Sequence, residues 1–238
     1  MMTEEATLYQ HGTLALLVPG LLEGTQTVAE LMQHGNTGIG TLTGLDGELI
    51  ILDGVVYQVN HEGRVRIVEG DARVPFANVH KADFGQGAAI TATNMADLKV
   101  KMQGALTSPN LFAAVMVRGT FGRMHTRAVQ GQQQPYPTLL ATATAQSEFK
   151  ASGVTGTLMG YYSPALYAGA VAPGFHLHFL SDDHQFGGHV LDLADVTGSV
   201  AVQTFTDFNL HLPTTSKPFL TQDFSGPEII ADIEAAEH

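Results

Sequence analysis

Gly40-Thr41-Leu42-Thr43-Gly44-Leu45-Asp46-Gly47-Glu48-Leu49-Ile50-Ile51-Leu52-Asp53-Gly54-Val55-Val56-Tyr57-Gln58-Val59 is the stretch that decides the fold class of this chain. Runs of Leu, Ile and Val alternate with Asp-Gly pairs. Asp-Gly between apolar runs is a strong short-range hairpin signal, because both residues tolerate the positive φ of the tightest turns. Asn60-His61-Glu62-Gly63 makes the next turn, before a strand at 64–68. Successive strands joined this tightly form an antiparallel meander.

Working outward, residues 14–18 read as a strand or short helix. A helix follows at 27–33, where Val28, Leu31 and Met32 stand at i, i+3, i+4 spacing. A second helix spans 94–106, with Met95, Leu98, Met102 and Leu106 along one face and Pro109 ending it. Strands are predicted at 112–118 and 122–128 with a turn at Gly119, and again at 153–160, 199–205 and 208–212. The Gln- and Pro-rich run at 130–137 is the best linker candidate, and a polar tail carries Glu228, Glu234 and Glu237. The expected architecture is α+β: two sheet-based lobes with mostly antiparallel or mixed sheets and a few helices. Residues 1–135 form a sheet-rich lobe, and 136–238 form a second lobe holding a histidine hairpin and the tail.

Composition narrows the function. The chain has 238 residues, 44% hydrophobic and 14% charged, which is globular and long enough for a substantial core. A formal charge of −12 repels phosphate backbones, so nucleic acid is not an expected partner. With no cysteine, any metal must be held by histidines and carboxylates. The apolar stretch at 14–22 is short, contains Pro19 and Gly20, and follows Glu4 and Glu5 instead of basic residues. It fits neither a signal peptide nor a membrane span, so the expected location is the cytoplasm, without a membrane partner.

The chemistry concentrates in Gly174-Phe175-His176-Leu177-His178-Phe179 and Gly187-Gly188-His189. Side chains alternate along a strand, so His176 and His178 share a face. The polar segment from Ser181 to Gly188 can reverse the chain and return His189 beside them. Three imidazoles with an open fourth position make a catalytic zinc site. His184, in the turn, reads as exposed, and nothing selects His211. Glu48 starts an apolar strand: from its neighbours alone it is either a solvated turn-end glutamate or one paired with a partner or metal. Arg127 is similarly open between a solvated strand edge and a carboxylate-binding role. The Gly38-x-Gly40 pair precedes a strand, not a helix, and there is no Walker or Gly-x-Ser-x-Gly sequence. On residue chemistry alone, a His-ligated lyase or hydrolase stays open beside a non-catalytic protein in which zinc steadies the hairpin.

The blocks Gly38-Ile39-Gly40-Thr41, Leu45-Asp46-Gly47-Glu48-Leu49, Asn110-Leu111-Phe112, Thr126-Arg127, Gly156-Thr157, Gly174–His178 with Phe179, Gly187-Gly188-His189-Val190 and Asp232-Ile233-Glu234-Ala235-Ala236-Glu237 occur in one order along the chain. In this the chain resembles the alpha-acetolactate decarboxylases over nearly its whole length. The resemblance implies a zinc-dependent (Zn2+) enzyme that converts 2-acetolactate to acetoin and carbon dioxide through a metal-stabilised enediolate. It also implies a homodimer and a small-molecule substrate. By motif position His176, His178 and His189 are the zinc imidazoles and Glu48 is a glutamate that reaches the metal. Arg127 is the active-site arginine, and Glu237, in preference to Glu234, is the tail carboxylate.

Overall fold

The computed structural model describes residues 6–144, 146–226 and 228–237; the side chains of Glu228, Glu234 and Glu237 lie outside the description. The first half of the chain supplies β1 (Thr7–His11), β2 (Gln26–Thr27), β3 (Thr37–Leu42), β4 (Asp46–Leu52), β5 (Val55–Val59), β6 (Val65–Ile67), β7 (Arg73–Val74), β8 (Phe76–His80) and β9 (Ala88–Asn94). The second supplies β10 (Ala113–Ala128), β11 (Ser147–Ser163), β12 (Gly174–Ser181), β13 (Gly187–Thr204) and β14 (Asp207–His211). The α-helices are short: α1 (Leu14–Leu17), α2 (Val28–Leu31), α3 (Met95–Gly104), α4 (Leu139–Ala143), α5 (Lys217–Thr221) and α6 (Glu228–Glu237). Two large sheets result, a seven-stranded one ordered β14-β1-β8-β3-β4-β5-β6 and a five-stranded one ordered β10-β11-β12-β13-β9, with β10 also paired to β13. Every pairing within them is antiparallel except β1 with β14. This is the expected α+β architecture.

Alternation along the strands explains how the layers stack. On β4, Leu49 and Ile51 pack with Val28 and Leu31 of α2, while Ile50 packs the other way against Leu180 and Ala128 of the five-stranded sheet. On β12, Leu177 and Phe179 join Leu98 and Met102 of α3. The order is therefore α2, seven-stranded sheet, five-stranded sheet, α3. Both faces of each central strand are buried, which is why Leu49-Ile50-Ile51 runs apolar without a break. A fourth cluster joins Leu14, Leu16 and Leu17 of α1, Leu139 of α4 and Ile229, Ile233 and Ala236 of α6.

Several local readings are corrected by long-range pairing. The expected turn at Gly119 does not form: β10 runs unbroken from 113 to 128, with Gly119 paired to both Gly156 and Gly198. A Cβ at Gly119 would lie 2.2 Å from the Thr197 carbonyl oxygen, so this glycine serves a close backbone approach and not a reversal. Likewise the segment at 199–205 is mostly the end of the long strand β13. Of the two Asp-Gly pairs, Asp53-Gly54 makes the two-residue turn, with φ of 50° and 83°. Asp46-Gly47 instead opens β4, after a 3₁₀ turn at Thr43–Leu45. Residues 14–17 are helical, and α2 starts at a capping box between Thr27 and Glu30. Residues 130–137 connect β10 to α4, with strands of the five-stranded sheet on both sides of residue 135. Among the described residues no helix is long and apolar enough to cross a membrane.

Two histidines are buried in this scaffold away from the residues picked out above. Burial pushes His80 down to about 4, and burial followed by the neighbouring His211 pushes His11 to about 4. Their unfolded counterparts titrate near ~6.5. Between those values the unfolded chain binds more protons than the folded one, so stability is full above about pH 6.5 and falls as the pH drops toward 4. Urea midpoints measured from pH 7 to pH 4 should decline through this window. A His80→Asn variant, although less stable at pH 7, should show a shallower decline, and an unchanged slope would contradict the assignment.

Candidate metal centre and its cavity

The hairpin of β12 and β13 places the three histidines as their spacing requires. His178 and His189 are direct cross-strand partners, and His176 lies two residues before His178 on the same face. The reversal occupies the residues between the strands, where His184 has a φ of 54° and its ring stands 4.7 Å from that of Tyr57. Gly187 and Gly188 belong to β13 and not to the turn. Gly188 has a φ of 126°, and a Cβ there would meet the Arg127 carbonyl oxygen at 2.5 Å. Thr126 Oγ1 donates to the Gly187 carbonyl at 2.8 Å, fastening the hairpin to β10.

One nitrogen from each histidine falls within 4.8 Å of the other two. His189 Nδ1 stands 3.2 Å from His176 Nε2, a separation compatible with two ligands on one ion when metal–nitrogen bonds are about 2.0–2.1 Å. His178 has the most informative surroundings of the three. Its Nδ1 is 2.8 Å from the Leu49 carbonyl oxygen, which only accepts, so Nδ1 carries the proton and donates it. Nε2 is then a bare lone pair, buried without a hydrogen-bond partner among the described residues. It faces a carboxylate oxygen of Glu48, another acceptor, at 3.4 Å. Burial, and after it the nearby His176, holds His178 well below the usual imidazole range and therefore neutral. A lone pair and a carboxylate oxygen this close can share a cation, and this donor set of imidazoles and one carboxylate suits a divalent transition metal.

Glu48 reaches this point because it shares the inner face of β4 with Ile50 and is 9% exposed. The two readings left open for it resolve to the buried one. Arg127, 8% exposed, also proves buried. A β-bulge between His125 and Thr126 shifts the pairing of β10 with β13 and brings Arg127 opposite His189. Its Nη1 donates to Gln146 Oε1 at 2.7 Å, while Nε has no partner among the described residues. Glu48, Arg127 and the three histidines line one cavity, whose remaining wall is largely apolar, with Leu14, Leu17, Val129, Leu139, Ala143 and Ala236. Ala236 comes from α6, so the tail read as polar is a packed helix at the cavity wall. The Glu237 and Glu234 side chains lie outside the described residues. His211 is elsewhere, on the edge strand β14, 2.9 Å from His11. Sequence reasoning did not find Gln146, the Leu49 carbonyl or the apolar wall. Only the wall left a trace, in the apolar residues at 14–18 that read as a strand or short helix.

Comparison with known proteins agrees with this geometry. The sequence pattern of alpha-acetolactate decarboxylase matches residues 8–226. The alpha-acetolactate decarboxylase of Lactococcus lactis subsp. lactis is 35% identical over 238 residues, covering 99% of this chain and all of the relative. The chain belongs to the alpha-acetolactate decarboxylase family. The solved alpha-acetolactate decarboxylase of Bacillus subtilis superposes with a TM-score of 0.93 at 31% identity, covering 97% of this chain and 99% of that one. A Staphylococcus aureus structure, described as similar to alpha-acetolactate decarboxylase, has a TM-score of 0.93 at 38% identity, covering 97% of this chain and all of its own.

The crowding at Gly188 gives a test of how this family member positions His189. Gly188→Ala places a methyl group against the Arg127 carbonyl and forces a strained φ, so His189 must shift. The variant should stay folded but bind a divalent metal ion at least ~10-fold more weakly, since ligand orientation of this kind is worth about 10–100-fold in affinity. Titration against a competing chelator measures this; unchanged affinity would show that the backbone there does not set the ligand.

Proposed function

We propose that this carboxy-lyase converts 2-acetolactate to acetoin and carbon dioxide, with zinc held by His176, His178, His189 and Glu48. The observation that carries the reading is the neutral His178 lone pair set against the Glu48 carboxylate beside a buried, positively charged Arg127. Zinc suits a donor set of imidazoles and a carboxylate in a chain without cysteine. When bound, it supplies a positive charge that polarises oxygens of the substrate. The homodimer and the cytoplasmic location rest on the family resemblance and on composition.

The substrate carries a hydroxyl and a carboxylate on one carbon, next to a ketone. Arg127 binds the carboxylate and fixes its orientation, because its Nε and the ends of its guanidinium can donate to both oxygens. With the carboxylate turned out of the plane of the ketone, the bond between it and the carbinol carbon can break toward the carbonyl. Carbon dioxide leaves, the electron pair enters the ketone and an enediolate results; protonation at the former carbinol carbon gives acetoin. The substrate's own ketone is the electron sink, so no organic cofactor is required. In this reading a carboxylate, Glu48 or Glu237, holds the hydroxyl proton during cleavage and returns a proton afterwards. The apolar wall from α1, α4 and α6 surrounds the two methyl groups and keeps water from the carboxylate, which destabilises the charged group that is lost.

The test is production of acetoin and carbon dioxide from racemic 2-acetolactate before and after removal and restoration of zinc. Equal amounts of both products, lost with the metal and recovered with it, are expected. No turnover by folded, zinc-loaded protein would overturn the assignment. His178→Ala should lose zinc and turnover together. Arg127→Lys, which keeps the charge but loses the fork, should raise KM about 10-fold or more while zinc content is unchanged; an unaltered KM would remove Arg127 from carboxylate binding.

A further inference from the structure

Arg127 has a carboxylate for a neighbour that it does not use. Glu148 of β11 is its direct cross-strand partner, and residues so paired bring their side chains to the same face about 4.5–5.5 Å apart at Cβ. An arginine and a glutamate at such a position normally pair. Here Glu148 is turned to His125, with Oε2 at 2.9 Å from Nε2. His125 first, and then a hydrogen bond from Gln146 and the charge of Lys150, hold the Glu148 carboxyl below its usual range, so it is ionised. Gln146 neighbours both groups. Its Oε1 accepts from Arg127 Nη1 at 2.7 Å, and it stands one residue before the Ser147 start of the strand that carries Glu148. The ladder therefore runs Arg127, Gln146, Glu148, His125, with a neutral amide between the guanidinium and the carboxylate.

We propose that Gln146 is a positioning residue that insulates Arg127 from Glu148, fixing the guanidinium through Nη1 while leaving its charge and its Nε for the carboxylate of the substrate. This rests on the reading of Arg127 given above and explains why a buried arginine carries no ion pair among the described residues. An amide oxygen satisfies one N–H without neutralising the cation. A carboxylate in the same place would engage the fork bidentately and compete with the substrate for it.

Three variants separate insulation from simple packing. Gln146→Ala should let Glu148 swing onto Arg127 and raise KM for 2-acetolactate about 10-fold or more, with kcat changed far less. Adding Glu148→Gln to it should bring KM back near the wild-type value, because the competing charge is gone. Gln146→Glu, nearly isosteric and so a weak threat to folding, should raise KM in a way that Glu148→Gln does not repair. Binding of the unreactive 2-hydroxy-2-methylbutanoate, followed by calorimetry on the same zinc-loaded proteins, should rank them identically. An unchanged KM in Gln146→Ala, or an increase that Glu148→Gln leaves in place, would overturn the proposal. Absence of wild-type turnover would overturn the decarboxylase reading instead, and the calorimetric ranking would still decide the role of Gln146.

Discussion

The hydrogen bond from His178 Nδ1 to the Leu49 carbonyl is the contact on which the site depends. It spans the two sheets, from β12 in one to β4 in the other, and it does three things together. It fixes the tautomer, so that Nε2 is the free donor atom. It fixes the ring, so that this atom points at Glu48, the residue before Leu49. It also ties the distance between the sheets to the distance between the His178 ring and the Glu48 carboxylate. Because Leu49 is the neighbour of Glu48 in β4, the carbonyl and the carboxylate cannot move independently. The fold thus holds one imidazole and one carboxylate in a common frame before any ion enters, which is the condition for a tight metal site built on strands.

What the sequence discloses about this arrangement follows from what is local. His176, His178 and His189 are legible because a strand of period two and a polar reversal fix their relation within fourteen positions, and the register His178 with His189 depends on nothing further away. Helix α3 is legible from the spacing of Leu98 and Met102, both fully buried. Gly119 misleads because glycine serves both turns and close approaches, and the partner strands that choose between them lie far along the chain. Asp46-Gly47 misleads for a related reason: Gly47 has the positive φ of a turn residue, but its space is limited by the Val59 carbonyl of the adjacent strand. Burial of Glu48 and Arg127 is invisible locally, since it is created by the apposition of two sheets and the bulge at His125. Gln146 gives no signal at all, because an isolated polar residue before a strand has no pattern.

The electrostatics of the cavity show how a chain with a formal charge of −12 can receive an anion. Net charge acts through water and is screened over about 8 Å at physiological ionic strength. Inside the cavity the apolar wall removes that screening, and the nearby groups dominate. His178 is neutral and Arg127 is paired only to an amide among the described residues, so the guanidinium is the strongest local attraction for a carboxylate before the metal is counted. Other carboxylates near the strand ends are occupied: Asp192 with Arg123 at 2.7 Å and Glu148 with His125. The local field is set by which acids are already paired, not by how many there are.

The same logic assigns a purpose to the short helices. Four residues in α1 and five in α4 are too few to be stable as isolated helices, and nothing in their length suggests a functional element. They persist because Leu14, Leu17 and Leu139 pack together with Ile233 and Ala236 of α6. That cluster is continuous with the cavity wall, so the apolar contacts that stabilise the helices are also the surface offered to the alkyl groups of a substrate. Loosening α6 would therefore open the cavity to water at the same time as it weakened α1 and α4. A terminal segment that binds by a few apolar side chains can in this way govern both the dryness of the site and the stability of its wall, and selection on either property acts on the other.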